Sequence, residues 1–235
     1  MLPRLPLFAG LLALALAIGL GAWAVGDGIR ARDKNEVISV TGSSKHRIVS
    51  DYVVWTVSVS SQRPRAATAA EELGGWTGRV RSFLLSSGAQ ASELTVQPIS
   101  TETLTDDQGA VTAYKLTRTF EVRSARVQAI AELAEASSRL LSQGIPLTAQ
   151  APQYVYTKLA SLRPQLLAEA VKDAQQRAKA LVGASGGHLG GLRGVNVGVF
   201  QVTAPNSTEV SDYGVYDTST LQKDVTAVVN ATFGL

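Results

Sequence analysis

The sequence predicts an α+β fold: a mainly antiparallel sheet with three packed amphipathic helices, preceded by an N-terminal transmembrane helix or signal. Three observations carry this expectation. Segments in which every second residue is apolar are interspersed with three segments whose apolar residues recur every three or four positions. Their order is strand-helix-strand-strand, helix, strand, helix, strand-strand, without the strict βαβ repeat of a doubly wound sheet. Ahead of them stands a charge-free apolar run from Leu5 to Gly26.

The centre of that run, Leu7 to Val25, holds 19 residues. As a helix it would span about 30 Å, the hydrocarbon thickness of a bilayer. Residues 1–26 are therefore expected to anchor the chain, with Leu7, Leu14 and Leu20 in lipid and Trp23 at the interface. Ala22-Trp23-Ala24 also fits an A-x-A cleavage site after Ala24, although a signal's apolar core is usually only about 7–15 residues. The expected location is the inner membrane, crossed once, with the C-terminal part periplasmic; the alternative is release into the periplasm after cleavage near Ala24. One feature opposes export. Arg30, Arg32 and Lys34 follow the run while only Arg4 and the amino terminus precede it, which favours the reverse orientation.

Residues 27–35 (DGIRARDKN) are polar and read as a tether, and residues 36–235 as one α+β domain. Val37 to Thr41 is a short strand, Gly42-Ser43-Ser44-Lys45 reads as a turn, and Arg47 to Ser61 resumes as a longer strand with Val53, Trp55, Val57 and Val59 on one face. Pro64 suits the first position of a helix, where its missing N–H costs nothing. Leu73, Trp76, Val80 and Phe83 supply that helix's apolar stripe, and Gly88 ends it. Leu94 to Leu104 and Val111 to Val122 form a hairpin across Thr105-Asp106-Asp107-Gln108-Gly109. A second helix, Val127 to Leu141, stops at Gly144 and Pro146. After a short strand at Gln153 to Thr157, Pro164 opens a third helix facing inward through Leu167, Ala170, Ala174, Ala178 and Leu181. Leu192 to Val202 and Val225 to Phe233 complete the sheet. Between them Ala204 to Leu221 is too long and polar for a hairpin loop and reads as a mobile or functional segment; its Tyr213 and Tyr216 are the candidate interface or loop residues.

Charge is nearly balanced, with 22 basic and 19 acidic side chains. With no dense basic run and no aromatic-basic interleaving, nucleic acid is not an expected partner. The chain has no cysteine and its only methionine is Met1, which excludes disulfides, thiolate catalysis and cysteine metal sites. It also offers no sulfur to oxidise beyond Met1.

Three stretches carry a family likeness. Val37-Ile38-Ser39-Val40-Thr41-Gly42-Ser43, followed by Ile48-Val49-Ser50-Asp51-Tyr52-Val53-Val54-Trp55, resembles the opening of SIMPL-domain proteins: a strand ending in V-x-G, then a (Pro/Ala)-Asp and an apolar strand. Leu84-Leu85-Ser86-Ser87-Gly88 with Leu94-Thr95-Val96 is similar to the family's helix end, glycine and return strand. Ala168 to Leu181 with Gly187-His188-Leu189-Gly190 resembles its A-x-x-D-A-x-x-(R/K)-A helix and following glycine segment. Ser50 departs from the pattern, where proline or alanine is commoner. The resemblance covers about residues 36–235 and matches the membrane-tethered branch. It implies an envelope α+β protein, often a homo-oligomeric ring or hollow assembly, associated with oxidative-stress defence and carrying no known catalytic residues.

Motifs with possible chemistry do not combine into a site. Gly183-Ala184-Ser185-Gly186-Gly187 has the G-x-S-x-G spacing of a nucleophile elbow, but a helix precedes the serine and a strand follows, the reverse of what the elbow needs. His188 beside it in sequence says nothing of a base within reach. Neither G-x-G-x-x-G nor a P-loop occurs, so no cofactor is expected; His46 and His188 lack metal-ligand spacing, so no metal is expected either. Glu169 and Asp173 are four apart on one helix face, as are Lys172 and Gln176, and Lys172 and Arg177 nearby give the pattern of a solvated surface.

The sequence thus leads to a non-enzymatic envelope protein whose partners are further copies of itself and the membrane. Gly42 (as the hairpin glycine), Asp51, Trp55, Gly88 and Gly190 are its structural residues. A ligand-binding module with residues 204–221 as a lid, its small-molecule ligand unidentified, and a hydrolase using Ser185 are the alternatives.

Overall fold

The computed structural model describes residues 36–235. The expected anchor (Leu7, Leu14, Leu20, Trp23) and tether lie outside the described residues. No helix among the described residues is long and apolar enough to cross a membrane.

The fold is α+β. In chain order the elements are β1 (Val37–Val49), β2 (Tyr52–Arg63), α1 (Ala66–Ser86), β3 (Leu94–Val96), β4 (Ser100–Thr105), β5 (Val111–Ser124), α2 (Val127–Ala136), the single turn α3 (Arg139–Ser142), β6 (Leu147–Ala149), β7 (Gln153–Val155), α4 (Leu159–Ala184), β8 (Leu192–Val197), β9 (Gln201–Thr203) and β10 (Gln222–Gly234). They make two compact units. One sheet has the order β1-β10-β8, with β9 also on β10; the other has the order β3-β5-β2-β6, with β4 on β5 and β7 on β2.

The larger unit comprises Lys45–Arg163 and Phe200–Val225. Its spine is the antiparallel pair β2–β5, in register from Val53↔Ser124 to Arg63↔Tyr114. Alternation along β2 turns Val53, Trp55, Val57 and Val59 into a core with Phe120, Leu73, Leu84, Ile130 and Leu133. The side chains are large, so burying each stabilises by about 1.5–3 kcal/mol. Trp55 is fully buried and its Nε1–H donates to Gln150 O at 3.0 Å, leaving its one polar atom satisfied.

The smaller unit holds the described residues up to Ser44, with Pro164–Val199 and Thr226–Leu235. Ala170, Ala174 and Ala178 on α4 pack with Val40, Val229, Ala231 and Phe233 of the sheet. Leu166 and Val182 extend this buried stripe at four-residue spacing.

Three helix ends close alike. Gly88, Gly144 and Gly186 adopt positive φ, and the next residue donates back to the helix: Ala89 N–H to Leu84 O at 2.9 Å, Ile145 N–H to Leu140 O at 3.1 Å, Gly187 N–H to Val182 O at 3.0 Å. This is the Schellman arrangement, in which a left-handed residue at C′ satisfies the last carbonyls.

Several expectations are corrected. No turn occurs at Gly42-Ser43-Ser44-Lys45: β1 runs straight through it, burying Gly42 and Ser44 on the face that carries Val40. Pro164 sits inside α4 rather than opening it, which removes one main-chain hydrogen bond just beyond the first turn. Leu181 is exposed and Val182 takes its inward place. The second helix breaks after Ala136, where the Ser137 and Ser138 hydroxyls donate to Ala134 O and Glu135 O. The strand expected at 94–104 is interrupted around Pro98, and that at 192–202 around Gly198.

Candidate functional site

β8 is an edge strand. It pairs antiparallel with β10, with Val195 opposite Ala231 and Val197 opposite Val229, and no described strand occupies its other side. Gly198 N–H donates to Val228 O at 2.9 Å. In an antiparallel ladder hydrogen-bonded pairs alternate with non-bonded ones, so Gly194 and Asn196 also face β10. The N–H and C=O groups of Val195 and Val197 therefore point away from it. Their side chains share the face of Ala231 and Val229, which α4 covers over the sheet's centre, yet Val195 and Val197 remain 41% and 49% exposed. Leu192 and Val199 are also exposed. Among residues 192–199 only Arg193 is charged and none is proline. Natural edges are usually blunted by such residues; this one is apolar and unpaired.

Gly42 and Gly190 hold the same unit together by close approach rather than by turn geometry. A Cβ on Gly42 would lie 2.2 Å from Ala170 O and 2.4 Å from Ala174 N, and one on Gly190 would lie 2.9 Å from Gly234 O. Neither has positive φ. Gly42 is therefore needed because α4 passes directly over β1, and its expected role in a hairpin is replaced by this one. Beside it, Ser43 N–H donates to Asp173 Oδ2 at 2.8 Å, and the Ser44 hydroxyl donates to Leu166 O at 2.7 Å.

In the larger unit, Asp51 and Tyr216 converge on one corner. Asp51 accepts from Thr157 N–H at 2.7 Å and from the Thr157 hydroxyl at 2.9 Å. The Tyr216 hydroxyl accepts from Tyr156 N–H at 2.9 Å and lies 3.1 Å from Tyr156 O, to which it can donate. Burial pushes the Asp51 carboxyl up, but the Thr157 hydrogen bonds and the Lys158 charge outweigh it and hold the pKa low.

Residues 204–221 are stitched down rather than hanging free. Val202 N–H donates to Val215 O, Asp217 N–H to Val202 O, Tyr154 N–H to Thr218 O and Ser50 N–H to Leu221 O, all within 2.9 Å. The tip is bare, with Val210 80% and Tyr213 98% exposed.

Sequence reasoning missed the ionic clamp at the start of β10. Asp224 is buried and bridges Lys45 at 2.8 Å and Arg47 at 2.9 Å, and accepts from Asn206 N–H at 3.0 Å. The Arg47 hydrogen bond is the largest cause of its strongly lowered pKa. Lys223 is fully buried against Asp217 at 3.1 Å; burial lowers its pKa against the pull of that carboxylate. The available signal was a Lys-Asp pair at the head of an otherwise apolar strand.

Ser185 is a helix cap. Its hydroxyl donates to Val182 O at 2.8 Å, and no hydrogen bond joins it to His188. Among the described residues no group of three His, Cys, Asp or Glu side chains is placed to hold a metal ion.

The profile of a family described as SIMPL, a protein of unknown function (DUF541), matches residues 38–233. No curated protein matches the chain at a significant level. Among solved structures, a crystal structure from Burkholderia cenocepacia provisionally assigned as an amidohydrolase/peptidase is 18% identical over 49% of this chain and 30% of its own length, with a TM-score of 0.23. A likeness that low carries no argument about fold or activity.

Proposed function

The chain belongs to the SIMPL family, and from that premise we propose that its domain is non-catalytic and acts by self-association. β8 pairs along its free edge with β8 of a second copy. The product is a homo-oligomeric scaffold, ring-like once a second surface joins the dimers, held on the periplasmic side of the inner membrane by residues 1–26 and serving oxidative-stress defence.

The observation that carries the assembly is the unblunted edge: main-chain groups of Val195 and Val197 directed outward beside an uncovered apolar face. A second copy satisfies both at once, because antiparallel edge pairing is self-complementary about a two-fold axis. Such pairing alone closes a dimer, so a ring needs a further contact; exposed Leu181 on α4 is the apolar candidate in the same unit. Against the hydrolase alternative stands the Ser185 hydroxyl, which is held by Val182 O at the end of α4. The envelope location rests on the apolar run, and the stress role on the family resemblance and the near absence of sulfur.

The chain's lack of cysteine gives a clean test. Two-fold pairing through the outward groups of Val195 and Val197 sets one β8 residue opposite its own copy, with Cα atoms about 4.5–5.5 Å apart, inside the disulfide range. Of the single substitutions Val195→Cys, Asn196→Cys and Val197→Cys in the full chain, the one nearest the two-fold axis should yield covalent dimers on mild oxidation and the others far less, while Thr103→Cys on the exposed strand β4 should not. Equal cross-linking at all four positions would remove β8 as the interface.

A further inference from the structure

In the larger unit the start of α4 and the segment after β9 enclose a cleft of about 190 Å³ lined by Leu159, Arg163, Phe200, Val202, Tyr213 and Tyr216. The Arg163 guanidinium lies 5.3 Å from the centre of the Phe200 ring. That contact covers one face of a planar cation and leaves its N–H edge uncommitted. Among the described residues no hydrogen bond or ion pair engages Arg163. Of the acidic groups nearby, Asp217 is engaged by Lys223, Ser219 and Thr220 and Asp51 by Thr157 and Lys158, while Asp212, next to Tyr213, is exposed to solvent. At the mouth stands Tyr213, almost wholly in solvent, next to Gly214, whose positive φ of 86° only glycine adopts freely.

We propose that this cleft is a binding site for a small carboxylate with an aromatic or short apolar body. The carboxylate takes the Arg163 fork in the bidentate geometry that guanidinium favours. The apolar body lies along Leu159 and Val202, and the Tyr213 ring folds over it. Size limits the ligand: 190 Å³ is the room of about six waters at roughly 30 Å³ each, enough for one ring and too little for a nucleotide. This site shares no residue with β8, so it stands or falls independently of the assembly.

Ligand-observed saturation-transfer NMR on the full chain in detergent, with benzoate as probe and benzyl alcohol as its uncharged counterpart, tests the proposal. Benzoate should bind saturably with a millimolar Kd or better, and benzyl alcohol about tenfold or more weakly. Arg163→Gln should abolish the preference for the anion. Tyr213→Ala, at a position too exposed to affect folding, should weaken benzoate several-fold with the melting midpoint unchanged. Absence of saturable benzoate binding, equal affinity for the alcohol, or unaltered binding by both variants would each overturn the site.

Discussion

The two units of this molecule bury different kinds of side chain. The smaller is closed by Ala170, Ala174, Ala178, Ala231 and a glycine, Gly42, beneath α4. The larger is filled by Trp55, Phe120, Leu73 and Ile130. Small residues bring backbone against backbone, so the smaller unit is sensitive to added volume; large ones fill space, so the larger is sensitive to removed volume. The alanine seam has a further consequence. One helix laid closely on the sheet's centre leaves the outer strand β8 uncovered, and the uncovered strand is the interface proposed above.

The largest effect that sharpens this contrast is a deletion in the larger unit. Phe120→Ala should cost about 3–5 kcal/mol in unfolding free energy, measured by denaturant titration, because it leaves a cavity among rigid neighbours. An addition in the smaller unit comes next. Gly42→Ala should cost about 1–3 kcal/mol, since the new methyl meets main-chain atoms of α4 that cannot rotate aside. A neutral result there would break the close-approach account.

Acid distinguishes the units next. The Glu93 carboxyl is held at about 2, against an ordinary 4.5, first by Arg126 and also by Ser124 and Gln90 N–H. Asp51, Asp217 and Asp224 in the same unit are likewise lowered, and Asp173 is lowered in the smaller unit. A depressed carboxylate stabilises fully above its unfolded pKa and loses that contribution as pH falls through the folded one. The melting midpoint should therefore be flat above roughly pH 5 and fall below it. Hydrogen exchange should rise first at Val53–Val59, before Val229–Phe233, and Glu93→Gln should shallow the acid limb. Simultaneous loss of both regions would show that the charges do not separate the units.

The smallest effect has the opposite sign. Gly75 lies within α1 with nothing within 4 Å of where its Cβ would stand. Gly75→Ala should therefore raise stability by about 0.5–1 kcal/mol. Paired with Gly42→Ala, it asks whether glycine is needed for space or merely tolerated.

The existence of the helices and their glycine-marked ends were legible because period and glycine punctuation are local, whereas the start of α4 ahead of Pro164 was not. Gly88 and Gly144 were read as stops and prove to be Schellman closures; the hairpin through Asp106 and Gly109 is also as expected. Gly42-Ser43-Ser44 was misread because its composition is that of a turn. The alternation of Val40, Gly42, Ser44 and Ile48 on the buried face was present, but small residues hide it until the helix above is known. Arg163 and Phe200 lie 37 positions apart and Asp224 and Lys45 farther still, so neither pairing leaves a mark in local pattern. The exposure of β8 was equally invisible, because nothing in the strand itself says that α4 stops short of covering it.

The central claim is that the free edge of β8 joins copies of this chain. Light scattering of the full chain in detergent, with the detergent mass subtracted and the sample diluted in series, tests it most directly. The account expects a discrete multiple of 24.7 kDa that survives dilution, and a smaller species in Val195→Lys with the melting midpoint unchanged. A wild-type chain that runs at 24.7 kDa at every concentration would contradict it.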